Sequence, residues 1–195
     1  MTVKTKTQNI LIVGVGGQGT LLTSRILAQV LVQMGYDVKV SEVHGMAQRG
    51  GSVVTQVRFG EKVYSPIVKK GDADILLAFE KLEAARWLDF LKPEGLIIIS
   101  EEQVDPLPVM SGKVKYPQDI DQQIKKLIPN TTIVNAAEIA INCGNVKAAN
   151  VVMVGMLAKA MDLPVAEMEN AIKSLVPSGV LEVNLKAFAS GYNFV

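Results

Sequence analysis

Gly14, Gly16 and Gly19 form the pattern GVGGQG between an apolar run, Asn9 to Val13, and an amphipathic stretch from Gly19 to Met34. This is the spacing of an anion-binding turn. The first glycine allows a tight strand-to-helix reversal, the second lets a ligand approach the backbone, and the third lets the helix pack close to its strand. N–H groups at the helix N-terminus then face negative charge. Gly14, Gly16, Gly17, Gln18 and Gly19 are therefore candidate residues of a phosphate site or of a rim shared with another chain. Three uses of the turn stay open on these residues. It can serve a stand-alone NAD(P)- or flavin-binding oxidoreductase, form the rim of a partner subunit, or merely pack helix to sheet in a non-catalytic scaffold.

A second polar stretch, SEVHGMAQRGGSV from Ser41 to Val53, holds the only histidine. A loop leaving the second strand of a parallel α/β sheet lies beside the glycine turn leaving the first, so the two share one rim. Arg49 offers a planar fork of donors for a carboxylate or phosphate, although a structural salt bridge would use it equally well. Gly50 and Gly51 allow backbone angles that other residues avoid and join the candidate rim. His44 is a candidate general base, but nothing near it in sequence completes a triad, and a loop-capping histidine is the simpler reading. Arg49 and His44 are thus the catalytic candidates. Glu42 falls about where a dinucleotide fold places its ribose acid, a position where strand-end carboxylates are also common. Cys143 reads as a small buried hydrophobe. Lys69 and Lys70 read as a solvated turn.

The elements that must carry these loops follow from hydrophobic period. Asn9 to Val13 predicts a strand, Gly19 to Met34 a helix with Leu21, Leu22, Ile26, Leu27, Val30 and Leu31 on its apolar side, and Tyr36 to Ser41 a second strand. Together they predict a right-handed parallel βαβ unit. Ser52 to Phe59 alternates as a strand, and Val63 to Ser65 predicts a short edge strand ended by Pro66. Ala73 to Phe79 and Gly95 to Ser100 read as central parallel strands, with a helix between them over Glu80 to Leu91. Thr131 to Asn135 predicts another strand and Lys113 to Tyr116 a weaker one, joined by a helix over Gln118 to Leu127. From about 136 onward only helices are expected, near 137–143, 147–161, 165–175 and 180–190. The expected fold is α/β: a Rossmann-like, doubly wound, mostly parallel sheet with a helical C-terminal part, forming one domain over 1–195. Ala148 to Met161 is apolar almost all round, which fits deep core or a subunit interface, and a homodimer of the isolated chain is one expectation from it.

Composition narrows the classes. The chain has 195 residues, a net charge of +1 and no long block of either sign, so nucleic acid is not an expected partner. No run reaches the roughly 20 apolar residues of a membrane span, and the N-terminus has no signal-like apolar region. A cytoplasmic protein is expected. One cysteine can neither form an internal disulfide nor hold an iron–sulfur cluster, and no metal site is expected with His44 its sole companion.

Four segments in order, ILIVGVGGQGTLLTSRILA, SEVHGMAQRGGSVVTQVRFG, GDADILLAFEKLEAAR and NVKAANVVMVGMLAKA, resemble the gamma-type subunit of the 2-oxoacid:ferredoxin oxidoreductases. The resemblance runs from about Asn9 into the C-terminal helices, and HGMAQRGG is its most specific string. It implies a subunit of a complex that oxidatively decarboxylates a 2-oxoacid, transfers the acyl group to coenzyme A and passes electrons to ferredoxin. The loop wording points to the branch acting on indolepyruvate or a related aromatic 2-oxoacid. The resemblance implies no cofactor in this chain, with thiamine diphosphate and iron–sulfur clusters on a larger partner. GlyAspAlaAsp at 71–74 starts like a thiamine-diphosphate motif but lacks its second glycine.

Overall fold

The computed structural model describes residues 6–45 and 50–194. Six strands and eight α-helices follow in chain order: β1 (Gln8–Val15), α1 (Thr20–Gln33), β2 (Asp37–His44), β3 (Ser52–Gly60), β4 (Ala73–Ala78), α2 (Lys81–Arg86), β5 (Leu91–Ser100), α3 (Leu107–Met110), α4 (Ile120–Leu127), β6 (Thr131–Val134), α5 (Ala136–Asn142), α6 (Ala149–Ala160), α7 (Val165–Leu175) and α8 (Leu181–Tyr192).

The strands form one sheet in the order β2-β3-β1-β4-β5-β6. β1, β4, β5 and β6 are parallel neighbours, whereas β3 is antiparallel to both β1 and β2. The expected βαβ unit is corrected here: β2 runs in the direction of β1, but β3 lies between them. The physical reason is in the burial of β3. Thr55 is fully buried and Gln56 nearly so, so this strand is covered on both faces and belongs inside the sheet. β2 is half exposed along most of its length and takes the edge.

Alternation along the central strands divides the core into two layers. Ile10 and Ile12 pack with α1, α5, α6, α7 and α8, while Leu11 and Val13 pack with α2 and α4. Each such fully buried Ile or Leu contributes about 1.5–3 kcal/mol. Helices thus cover both faces, as a doubly wound sheet requires.

Three sequence expectations fail for identifiable reasons. Val63 to Ser65 is irregular because side chains hold it: the Val63 N–H donates to Asp37 Oδ2 at 2.9 Å, and the Arg58 guanidinium donates to the Ser65 carbonyl at 2.8 Å. Lys113 to Tyr116 is also irregular, and the Tyr116 hydroxyl anchors it by accepting from the Leu82 N–H at 3.1 Å. β5 begins at Leu91 rather than Gly95. A register shift between Ala73 and Ile75 of β4 lets the strand start before Pro93, whose nitrogen has no proton for a ladder.

The apolar Ala148 to Met161 segment is core. Val151, Val152, Met153, Val154, Met156 and Leu157 of α6 are all buried. α6 meets α8 at backbone distance: a Cβ built on Gly155 would stand 2.2 Å from the Phe188 carbonyl oxygen.

Candidate functional site

The turn from β1 into α1 is built by its glycines. Gly17 and Gly19 have φ of 104° and 85°, the left-handed region that favours glycine. Gly14 is needed for a different reason, since a Cβ there would lie 2.8 Å from Gln18 Oε1 and 3.0 Å from Phe79 Cβ.

The end of the polar loop docks on this turn. The Gly16 N–H donates to the Gly51 carbonyl at 2.8 Å, and the Gly50 N–H donates to the Gly16 carbonyl at 3.5 Å. Gly16, Gly17, Gly19, Gly50 and Gly51 therefore lie at one rim. A carboxylate supports it from behind: the Ser52 hydroxyl donates to Glu83 Oε2 at 2.5 Å, and Arg86 donates to Glu83 Oε1 at 2.5 Å.

A cleft of ≈ 530 Å³ opens on the β2 side of the turn and is lined by Gly16, Gly19, Leu22, Arg25, Glu42 and His44, among others. α1 begins there with no side-chain cap, so its first N–H groups, which have no partner within the helix, are available to an anion. Arg25 brings a cation to the same place. Its position was legible only as helical spacing, one turn beyond Leu21. Leu21 itself is 43% exposed; it turns toward the cleft, not the core face expected of it. Thr20, Thr23 and Ser24 are buried beside Ile26 and Leu27 in its stead.

Glu42 accepts from the Thr55 hydroxyl at 3.3 Å. His44 is exposed, and its Nδ1 lies 3.3 Å from the Gly45 carbonyl oxygen; no acid pairs with it among the described residues. Arg49 lies outside the described residues. Cys143 is half-buried against the core, with its sulfur 3.4 Å from the Ser190 hydroxyl.

Gln18 changes the meaning of the glycine turn. Its Oε1 accepts the Val15 N–H at 2.7 Å, and its Nε2 donates to the Phe79 carbonyl at 3.0 Å. The side chain thus bridges the C-terminal ends of β1 and β4, the switch point where a doubly wound sheet opens to a dinucleotide. Gln18 lines that crevice with its own amide.

Beside it, β4 leads into α2 through Glu80, which caps the helix by accepting the Glu83 N–H at 2.9 Å. The Tyr116 hydroxyl donates to the same carboxylate. Burial holds the Tyr116 phenol well above its ordinary range, and the Glu80 hydrogen bond and charge push it further. This buried Glu80–Tyr116 pair escaped sequence reasoning, because the two residues lie 36 positions apart.

The GlyAspAlaAsp segment at 71–74 is built into the sheet through Ala73 and Asp74. Ala73 is sealed inside β4, and Asp74 is engaged by the Asn9 N–H at 2.8 Å and by Lys92. No group of three or more His, Cys, Asp or Glu that could hold a metal occurs among them. Among the described residues no helix is long and apolar enough to cross a membrane.

Fold and rim together define a Rossmann-like α/β chain whose glycine turn is bridged to β4 by its own glutamine. A family model described as pyruvate ferredoxin/flavodoxin oxidoreductase matches residues 9–194. The chain belongs to that family, and its homologues are subunits of 2-oxoacid:ferredoxin oxidoreductases. It is 43% identical over 189 residues to the indolepyruvate oxidoreductase subunit IorB of Archaeoglobus fulgidus, covering 95% of this chain and 94% of the relative. The fold is also that of the keto/oxoacid ferredoxin oxidoreductase gamma subunit of Geobacter sulfurreducens, with TM-score 0.69, 24% identity, and coverage of 95% and 96% of the two chains. It matches part of the 2-oxoglutarate:ferredoxin oxidoreductase of Magnetococcus marinus at TM-score 0.73 and 19% identity, over 97% of this chain but 31% of that one.

Proposed function

We propose that this chain is the smaller, gamma-type subunit of an oxidoreductase that decarboxylates indolepyruvate or a related aryl 2-oxoacid to an acyl-CoA, with ferredoxin as electron acceptor. The observation that carries this reading is the 43% identity to the Archaeoglobus subunit over nearly the full length of both chains. The whole length, 1–195, is read as one domain. Thiamine diphosphate and the iron–sulfur clusters are assigned to a larger partner subunit, since a single cysteine cannot supply the thiolates of a cluster. The lone cysteine fits a reducing cytoplasm.

Within the complex, the rim formed by Gly14 to Gly19 and by Ser41 to Gly51 is assigned to one wall of the reaction chamber. Thiamine chemistry needs a dry site and a controlled approach of the acyl acceptor. The uncapped start of α1 and the Arg25 guanidinium suit a phosphate of coenzyme A held between chains, and Arg49 is assigned to the same rim. Glu42 and His44 stand at its edge as hydrogen-bonding groups.

The test is reconstitution with the larger subunit, followed by indolepyruvate- and CoA-dependent reduction of ferredoxin. Activity is expected from the complex and not from either chain alone. Arg49→Ala should lower turnover while the complex still assembles. Failure of the two chains to associate overturns the subunit reading. Tight binding of NAD(H) or FAD by the isolated chain would favour the stand-alone dinucleotide enzyme.

A further inference from the structure

The carboxylate behind the rim belongs to a line of contacts that ends on the glycine turn. Glu83, on α2, is only 2% exposed. Taking a carboxylate out of water is costly unless its oxygens find partners. Each oxygen has one: Oε2 accepts the Ser52 hydroxyl and Oε1 accepts the Arg86 guanidinium, both at 2.5 Å. Arg86 is half exposed while Glu83 is sealed. With both oxygens engaged, the carboxylate cannot turn without giving up one of its partners.

Ser52 carries that constraint to the rim. Side chains alternate along β3, so the Ser52 hydroxyl shares the α2 face with Val54, while Val53 lines the cleft. The backbone around the same residue holds the polar loop at both of its described ends. The Ser52 carbonyl accepts the Gly45 N–H at 3.4 Å, and the carbonyl just before it, that of Gly51, accepts the Gly16 N–H at 2.8 Å. Ser52 also faces Val15 in the final pair of the β1–β3 ladder, where the turn leaves the sheet. Gly50 and Gly51 have no side chains with which to fix themselves. An apolar residue at 83, like the fully buried Ala84 beside it, would fill the space without holding Ser52.

We propose that Glu83 is a positioning residue for the oxidoreductase reaction: acting through Ser52, it sets the Gly50–Gly51 backbone against Gly16 and so fixes the wall past which the acyl acceptor approaches. Glu83 touches no substrate in this role, and Arg86 fixes the orientation of its carboxylate. The proposal rests on the assignment of the rim to that wall.

Amide exchange of the full chain, followed by NMR, tests the link from Glu83 to the turn. Ser52→Ala and Glu83→Ala should each let the Gly16 N–H exchange about tenfold faster, the scale of one hydrogen bond to a charged group. Core amides such as those of Ile12 and Leu77 should keep their protection. Ser52→Thr, which retains the hydroxyl, should restore slow exchange at Gly16. Kinetics of the complex reconstituted with the larger subunit test the effect on the reaction. Both alanine variants should raise the KM for coenzyme A about tenfold, well within what a small misplacement costs, with the KM for indolepyruvate unchanged. Ser52→Thr should return it to the parent value. Unchanged Gly16 exchange in both alanine variants overturns the proposal. Faster exchange with parent-like kinetics also overturns it, because the contact then serves stability alone; so does a threonine variant that behaves like alanine. A parent complex without coenzyme A-dependent turnover overturns the assignment of the rim, and only the parent's failure has that meaning.

Discussion

The Gln18 side chain donates from Nε2 to the carbonyl oxygen of Phe79 at 3.0 Å and thereby ties the glycine turn to the end of β4. Its other end occupies the Val15 N–H at 2.7 Å. Gln18→Ala strips partners from two backbone groups at once, Phe79 being nearly fully buried. Leaving such a group unpaired costs about 1–3 kcal/mol. The variant should melt several degrees lower, at ~2–4 °C per kcal/mol for a chain of this size. Equal melting temperatures for the two chains would show that the bridge contributes nothing.

Gly155 and Gly191 are the tightest helix contact in the C-terminal part. A Cβ on Gly191 would fall 2.0 Å from the Val152 carbonyl oxygen, and one on Gly155 2.2 Å from that of Phe188. Both obstacles are backbone, which cannot swing aside. Gly155→Ala or Gly191→Ala must push α6 from α8 and should cost about 3 kcal/mol or more. Gly179→Ala is the control: its Cβ would meet nothing within 4 Å, and its effect should stay within about 0.5 kcal/mol. Urea unfolding of the three variants measures the difference.

The legibility of this chain follows the range of its interactions. Central strands such as Ile97 to Ile99 and helices such as Val165–Leu175 declare themselves through local apolar pattern, and the C-terminal helices stand within a residue or two of where the sequence puts them. The place of β3 between β2 and β1 was not legible. Thr55 and Gln56 point to opposite faces of the strand and neither is apolar, so only the tertiary fold shows both faces covered. The same limit applies to the rim. Glycines at 14, 16 and 19 announce a turn, but its tie to β4 depends on Gln18 reaching Phe79, 61 residues away.

Tyr116 should set the alkaline behaviour. Its phenol is held above the usual value of about 10 by burial first and by Glu80 second. In the unfolded chain the group ionises near that usual value. Because the folded pKa is raised, its contribution to stability is complete below pH 10 and is lost as pH rises beyond. Four tyrosines are present. An ultraviolet titration of the native chain should leave one phenol unionised until the alkaline unfolding transition. In Tyr116→Phe that lagging phenol should vanish. A Tyr116→Phe chain that keeps the late step would assign it to another tyrosine.

Arg25 offers the sharpest test of the rim cleft. Its guanidinium lines the cleft one turn inside α1 and makes no ion pair among the described residues. It also stands near the uncapped N-terminus of the same helix, where the backbone N–H groups already favour an anion. A charge placed to hold a phosphate stabilises the bound acceptor and its transition state alike, so its loss should appear in KM. Arg25→Ala in the reconstituted complex should raise the KM for coenzyme A about tenfold, the scale of one charge-assisted contact, with kcat nearly unchanged. Added salt should raise the KM of the parent complex more than that of the variant, because screening weakens an attraction the variant no longer has. If KM and its salt dependence are the same in both, Arg25 has no part in holding the acceptor and the cleft loses its assigned ligand.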